Sequence, residues 1–140
     1  MLCRYQDQIA EVETRYGDKV QILRDIVDGT SLVKSAKLFV GAGGTMTAEA
    51  ALLGKPTISI APIQYDVEKY LVKTGLVKKA TDSKTLVKLG KKLISDQKYQ
   101  QALKKKAKLL LARMEDPTDN IMAAIMMCTS GNRGIPHRHQ

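Results

Sequence analysis

The sequence predicts an α/β fold in which helices flank a parallel sheet and the C-terminal part is helical. Two apolar runs, residues 38–40 and 57–60, have the length of short buried strands. Glycines at 41, 43 and 44 follow the first run, and a helical segment separates the two runs. The order strand, glycine-rich turn, helix and strand is a βαβ unit, and such units build parallel sheets with right-handed crossovers.

The N-terminal elements follow from weaker signals. Residues 1–3 give at most a short strand segment, as if the chain began within a strand or just after one. The apolar run at 20–23 predicts a strand that ends at a turn, and Asp28 or Thr30 can cap the helix that follows it. The apolar face of that helix is predicted to comprise Leu32, Val33 and Ala36.

The central helix is predicted over residues 45–53, directly after the glycine-rich turn. Gly54 marks the helix exit, and Pro56 prevents continuation of the helix. Pro62 closes the second strand of the βαβ unit.

Three amphipathic helices are predicted in the C-terminal half. Asp82 caps the first of them, and Asp116 followed by Pro117 begins the third. The expected buried positions are Leu86, Leu89, Leu93 and Ile94 in the first helix, Tyr99, Leu103, Ala107, Leu110 and Met114 in the second, and Ile121, Met122, Ile125 and Met126 in the third. We expect one domain over residues 1–130 and a flexible tail over 131–140.

Basic charge is concentrated in one part of the chain. Residues 69–114 contain fourteen Lys or Arg and two Asp, a local charge of +12, whereas the rest of the chain sums to −3. The lysines between 84 and 108 are predicted to lie on the solvent side of amphipathic helices. Nucleic acid is a less favoured partner, because Tyr70 and Tyr99 are the only aromatic residues of this window.

The sequence gives no reason to expect a metal, an organic cofactor or a membrane span. Cys3 and Cys128 are predicted to be free thiols, and His137 and His139 have no Cys, Asp or Glu partner nearby. No apolar run approaches the roughly 20 residues that cross a bilayer. Residues 1–20 lack the apolar core of a signal peptide, so the predicted location is the cytoplasm.

The glycine-rich turn is the element best suited to bind a ligand. Where a strand leads into a helix, free backbone N–H groups and the positive end of the helix dipole attract anions. Gly43 and Gly44 let a diphosphate approach the main chain, and Thr45 and Thr47 offer hydroxyl donors. Glu49 lies about one turn into the helix, where its carboxylate can accept two hydrogen bonds from a ribose diol. A tight turn without a ligand is the alternative interpretation.

Residues 41–56 carry a family resemblance. The stretch Gly-Ala-Gly-Gly-Thr-Met-Thr-Ala-Glu-Ala-Ala-Leu-Leu-Gly-Lys-Pro resembles the C-terminal domain of an archaeal group of uncharacterised GT-B-like proteins. It is more distantly similar to MurG-type N-acetylglucosaminyltransferases and UDP-N-acetylglucosamine 2-epimerases, which place a Glu five residues before a Gly-x-Pro. The resemblance implies a Rossmann-like domain, the C-terminal half of a GT-B fold. It also implies that Glu49 holds the ribose and that the backbone from Gly43 to Met46 holds the diphosphate of a UDP-sugar.

The same resemblance implies further contacts and a partner. Gln64 would contact the sugar, and Arg4 would touch the diphosphate. Because GT-B enzymes work between two domains, we expect this chain to be inactive without an N-terminal Rossmann-like domain, which a separate reading frame can encode. The reaction stays open between glycosyl transfer and epimerisation. A non-catalytic subunit or scaffold is the alternative function, followed by a basic nucleic-acid-binding module, and an uncovered apolar face would favour a homodimer.

Overall fold

A parallel three-stranded sheet lies at the centre of the fold, within residues 1–3, 5–24, 28–63 and 65–129, the ranges that the computed structural model describes. Its strands, in spatial order, are β1 (Phe39–Gly41), β2 (Thr57–Ser59) and β3 (Val77–Lys79). Both neighbouring pairs are parallel. The predicted α/β class with a parallel sheet and flanking helices is confirmed.

Helices make up most of the remaining structure. They are α1 (Gln6–Tyr16), α2 (Gly29–Ser35), α3 (Thr45–Leu52), α4 (Asp66–Lys73), α5 (Ser83–Ser95), α6 (Gln97–Leu111) and α7 (Pro117–Thr129). A short 3-10 turn, Gly17–Lys19, follows α1. The sequence predicted α2, α3, α5, α6 and α7 but not α1, α4 or β3. These three elements have mixed polar compositions, and the only buried residue of α1 is Val12.

The strand predicted at residues 20–23 is reduced to a single bridge. Leu23 pairs in parallel with Leu2, and the Leu23 amide donates to the Met1 carbonyl at 3.0 Å. In the described part of the chain this bridge is not joined to the three-stranded sheet. The segment at 1–3 is therefore strand-like only through its contact with residue 23.

The two faces of the sheet are covered by different helices. Ile58 is fully buried with Ala80 and with Leu93 of α5 on one face. Because side chains alternate along a strand, Ser59 points to the other face, and its hydroxyl donates to Glu68 of α4 there. The core cluster beside α3, α4 and α6 comprises Ala51, Leu71, Leu76, Val77, Leu103 and Ala107. The site-bearing helices α3 and α4 thus share one side of the sheet.

Several residues predicted to be buried are exposed. Val40 is 42% exposed, although it pairs in register with Ile58, which is fully buried beside Leu93 of α5. Ile94 is exposed because the adjacent Leu93 takes the inward position on α5, and Met114 lies beyond the end of α6. The apolar residues predicted to be buried on α7, Ile121, Met122, Ile125 and Met126, are all exposed, since α7 has no buried residue.

Aspartate side chains cap several of the helices. The hydroxyl and amide of Ser31 hydrogen-bond to Asp28 and lower its pKa, so Asp28 is the cap of α2. The hydroxyl and amide of Thr85 lower the pKa of Asp82 in the same way at the start of α5. Since both pKa values are lowered by folding, these caps stabilise the protein at neutral pH and lose that effect as the pH falls through the lowered values.

Asp96 lies between α5 and α6, and its side chain caps the start of α6. This cap allows a stability test. The Asp96 carboxylate accepts a hydrogen bond from the Tyr99 amide at 2.8 Å. We expect Asp96→Ala to lower the free energy of unfolding by about 1 kcal/mol, because an amide at the start of α6 loses its acceptor. Asp96→Asn keeps an acceptor oxygen and should retain most of that energy. Urea denaturation of the wild type and both variants measures their free energies of unfolding. Equal losses in the two variants would contradict the role of Asp96 as the cap of α6.

Candidate functional site

The carboxyl ends of the three strands form one edge of the sheet. Gly41, Ser59 and Lys79 end their strands in register with one another. The glycine-rich turn leaves β1 at this edge and leads directly into α3. Open α/β sheets bind their ligands outside the carboxyl ends of the strands. The turn therefore lies where a ligand of such a fold is expected.

The backbone of the turn adopts a conformation that favours glycine. Gly43 and Gly44 have φ angles of 89° and 79°, which residues with a side chain rarely adopt. Gly44 precedes the first residue of α3, and no side chain among the described residues caps this helix. The first-turn amides, at Thr45, Met46 and Thr47, have no acceptor within the helix. The N-terminus of α3 thus combines amide donors that have no helical acceptor with a positive dipole end, and Thr45 is its exposed residue.

The two threonines of the turn have different positions. Thr47 is buried, and its hydroxyl donates to the Gly43 carbonyl at 3.0 Å, so it holds the turn together. Thr45 is exposed, and its hydroxyl makes no hydrogen bond to another described residue. Thr45 can therefore offer a ligand its hydroxyl as well as its amide, whereas the predicted ligand contact of Thr47 stays a prediction.

Met46 and Glu49 lie further round α3. The Met46 side chain reaches the start of α2, where its Cε lies 3.6 Å from the position of a Cβ on Gly29, so Met46 can serve a ligand only through its amide. Glu49 is half-buried, and its carboxylate has no hydrogen bond or ion pair within the described ranges. Its two oxygens are available to a ligand that lies along the first turn of α3.

Some predicted site residues cannot be placed. Gln64 and Arg4 lie outside the described residues, as do His137, His139 and the tail over 131–140. The expected contacts of Gln64 with a sugar and of Arg4 with a diphosphate therefore stay predictions.

A pocket of about 420 Å³ opens beside the turn, between α3 and α4. Thr45 and Ala48 line it on the α3 side, and Val67, Glu68 and Leu71 line it on the α4 side. Tyr65, which is 72% exposed, stands at its rim. Most of the lining is apolar, and Glu68 contributes the only carboxylate among the described residues that line the pocket.

Glu68 is the site residue that the sequence did not indicate. Its side chain is 5% exposed, and its Oε1 atom accepts a hydrogen bond from the Ser59 hydroxyl. The Lys79 ammonium lies 3.4 Å from Oε1 and also donates to the Ala61 carbonyl. These contacts form a buried network that ties α4 to the ends of β2 and β3.

The second oxygen of Glu68 is buried without a partner. Within the described part of the chain, Oε2 has no hydrogen bond. A Cβ at position 43 would lie 3.0 Å from this atom, so Oε2 lies directly against the glycine-rich turn. The site thus combines free amide donors on α3 with a free acceptor on α4.

The remaining polar features lie away from this site. The lysines at 84, 88, 91, 92, 98, 104, 105, 106 and 108 are all exposed, which confirms that they form a solvent-facing surface on α5 and α6. Cys3 and Cys128 are free thiols, as predicted. None of the described helices has the length and apolar character that crossing a membrane requires.

Comparisons with known proteins identify relatives but no activity. The sequence profile of a family described as "Protein of unknown function (DUF354)" matches residues 1–129. "Uncharacterized protein MJ0665" of Methanocaldococcus jannaschii is 34% identical over 76 residues, which are 50% of this chain and 22% of that protein. The chain thus spans about a fifth of the length of the curated relative that it matches. No solved structure matches the chain.

Proposed function

The chain belongs to the family described as "Protein of unknown function (DUF354)", and we propose that it is the nucleotide-sugar-binding domain of a GT-B type glycosyltransferase or epimerase. The observation that carries this proposal is the uncapped N-terminus of α3. Its turn, with Gly43 and Gly44 in the left-handed region, opens at the carboxyl edge of a parallel sheet beside a pocket. The resemblance of residues 41–56 supports the finer assignment to a UDP-sugar.

The diphosphate would bind to the main chain at the start of α3. The amides of Thr45, Met46 and Thr47 have no helical acceptor, and an anion there is stabilised by the positive end of the helix dipole. Glycine at positions 43 and 44 keeps side chains away from the path of the phosphates. When a glycosyl bond breaks, the same donors would stabilise the charge of the departing nucleoside diphosphate in place of a metal ion.

The ribose would be held by Glu49. Glu49 lies four positions after Thr45, and this step corresponds to roughly 6 Å along the helix axis. The carboxylate of Glu49 has no partner among the described residues, so it is free to accept hydrogen bonds from the two hydroxyls of a ribose. The base would then lie beyond Glu49, away from the pocket.

A partner domain would complete the enzyme. The matched stretch covers 22% of the longer relative, which leaves room in such a protein for the second domain of a GT-B enzyme. We therefore expect the isolated chain to bind a nucleotide without turning it over.

Titration with uridine nucleotides tests the proposal. We expect saturable binding of UDP and UDP-N-acetylglucosamine to the purified chain, and weaker binding of ADP. Glu49→Ala should weaken UDP about tenfold or more, because a hydrogen bond to a charged acceptor is lost. Glu115→Ala removes the same charge from an exposed position outside the site and serves as the control. Folded protein that binds none of these nucleotides would contradict the proposal.

A non-catalytic subunit is the second candidate, and the exposed apolar side of α7 favours it. Ile121, Ile125 and Met126 are each more than half exposed on a helix that has no buried residue. Exposed apolar patches of this kind mark protein interfaces. The occupant would be a separately encoded N-terminal domain or a second copy of the chain. A nucleic-acid-binding role is the weakest candidate, since the one aromatic residue of α5 and α6, Tyr99, packs against the core and is not a stacking platform beside the exposed lysines.

A further inference from the structure

We propose that the exposed face of α5 is a docking surface for a bilayer that contains anionic phospholipids. We call this surface the α5 face, and it comprises Lys84, Val87, Lys88, Lys91 and Ile94. The inference goes beyond the proposed function and needs no bound nucleotide. The helix α5 covers the side of the sheet that Ile58 faces, whereas α3 and α4 lie on the other side.

The first step of the argument is the unbalanced charge of the helices α5 and α6. Together they contain nine lysines and no Asp or Glu. Asp82 and Asp96, the acidic residues at the two ends of α5, are engaged as caps by backbone amides. Among the described residues, no side chain forms an ion pair with a lysine of α5. A surface that only keeps a protein soluble normally mixes both signs of charge, so this surface favours a negatively charged partner.

The second step is the arrangement of lysines and apolar side chains on α5. Lys88 lies four positions after Lys84, and Lys91 lies three positions after Lys88, so the three lysines share one side of the helix. Val87 lies among them and is 55% exposed, and Ile94, one turn after Lys91, is 46% exposed. A shallow depression of about 580 Å³ runs along this side, and its described lining includes Val87 and the three lysines. The face therefore combines cationic and aliphatic groups over roughly 15 Å of helix axis.

The third step is the partner that matches both kinds of group. Clusters of about four to eight basic residues on an amphipathic helix are typical of binding to anionic lipids, and α5 has four lysines. Exposed aliphatic side chains among the lysines gain free energy by entering the boundary between headgroups and acyl chains. Nucleic acid matches the face less well, because it offers no apolar layer to Val87 and Ile94. The face also has no aromatic side chain that could stack on a base.

The fold presents this face without any rearrangement. On the opposite side of α5, Leu93 is 3% exposed, and Leu86 and Leu89 pack against the same core cluster. Because that apolar side is already used by the protein core, α5 would rest on the bilayer surface and would not insert deeply. Binding should then depend mainly on charge and weaken steeply as the salt concentration rises.

Sedimentation with lipid vesicles tests the proposal. The folded chain is mixed with vesicles of phosphatidylcholine alone, or of phosphatidylcholine and phosphatidylglycerol in equal parts. We expect binding only to the vesicles that contain phosphatidylglycerol, and at least about tenfold weaker binding when NaCl is raised from about 0.1 M to about 0.5 M. The triple variant Lys84→Gln, Lys88→Gln, Lys91→Gln should bind on the order of a hundredfold more weakly, because each lysine near such a surface contributes about fivefold.

Two further variants control for total charge and for apolar contact. Lys105→Gln with Lys106→Gln and Lys108→Gln removes the same charge from α6, which packs on the other side of the sheet, and should bind vesicles within about fivefold of the wild type. Val87→Ser with Ile94→Ser keeps every lysine and should weaken vesicle binding about tenfold, because less apolar area leaves water. All substituted positions are exposed, and circular dichroism verifies that each variant is folded.

Several results would overturn the proposal. One is folded wild-type chain that binds neither kind of vesicle, or both kinds equally. Another is an equal loss of binding in the α5 and α6 lysine variants, since total charge and not the α5 face would then explain the binding. A third is wild-type affinity in the Val87 and Ile94 variant. Binding of duplex DNA in preference to the anionic vesicles at the same salt concentration would assign the face to nucleic acid instead.

Discussion

Lys79→Met is expected to lower the free energy of unfolding by about 3 kcal/mol. The ammonium of Lys79 is the counter-charge of Glu68, and the two side chains are 23% and 5% exposed. Removing one partner of a buried ion pair leaves the other charge uncompensated, which costs more than the pair itself contributes. The Ala61 carbonyl also loses its donor. Chemical denaturation followed by circular dichroism measures the change.

The neighbouring residue provides the control for this prediction. Lys78 is also half-buried on β3, but its ammonium makes no ion pair or hydrogen bond to a described residue. We expect Lys78→Met to change stability by less than about 0.5 kcal/mol. The double variant Lys79→Met with Glu68→Gln removes both charges and should recover part of the loss, which a double-mutant cycle quantifies. Equal losses for the two lysine variants would show that the ion pair does not stabilise the fold.

Gly54→Ala is expected to have a similarly large effect, of about 2–4 kcal/mol. Gly54 ends α3 with a φ of 69°, a conformation that costs alanine roughly 1 kcal/mol. A Cβ there would lie 2.8 Å from the Cα of Lys104, so the backbone of α6 would have to move. Overpacking of this kind typically costs about 1–3 kcal/mol. Thermal and urea unfolding of the variant measure the sum of the two effects.

Gly44→Ala tests backbone strain at a position that lacks the steric contact present at Gly54. Gly44 has a φ of 79°, but a Cβ there would meet nothing within 4 Å. We expect its stability cost to be only that of the backbone strain, roughly 1–3 kcal/mol, because a φ of 79° with a ψ of −169° is a combination that essentially only glycine adopts. If Gly54→Ala costs no more than about 1 kcal/mol, which is the strain expected there without a steric contact, the close approach of α6 to the end of α3 does not destabilise the variant.

The βαβ unit could be predicted because its signals are local. The glycines of the turn, the exit at Gly54 and the break at Pro56 fix the ends of α3 without reference to the rest of the chain. The β3 strand was missed because Val-Lys-Lys is short and polar, and only its pairing with β2 makes it a strand. The error on α7 has the opposite origin, since its apolar composition suggests burial but none of its residues is buried.

The candidate site was predictable only on its α3 side. Gly43, Gly44 and Glu49 could be predicted as site residues because the turn and its motif are contiguous in sequence. Glu68 lies between Asp66 and Lys69, and this charged composition predicts a segment that faces solvent. Its spacing of three residues from Leu71 places it on the inward face of α4, and this was the one available signal. Its partners come from two strands that tertiary structure brings to the same edge.

The Glu68 network has an evolutionary consequence. The same carboxylate that faces the pocket also anchors α4 to the ends of two strands through Ser59 and Lys79. A substitution that alters which ligand fits there would therefore weaken the protein at the same time. Because a change of Glu68 alone would leave Ser59 and Lys79 without their partner, changes at positions 59, 68 and 79 should be inherited together.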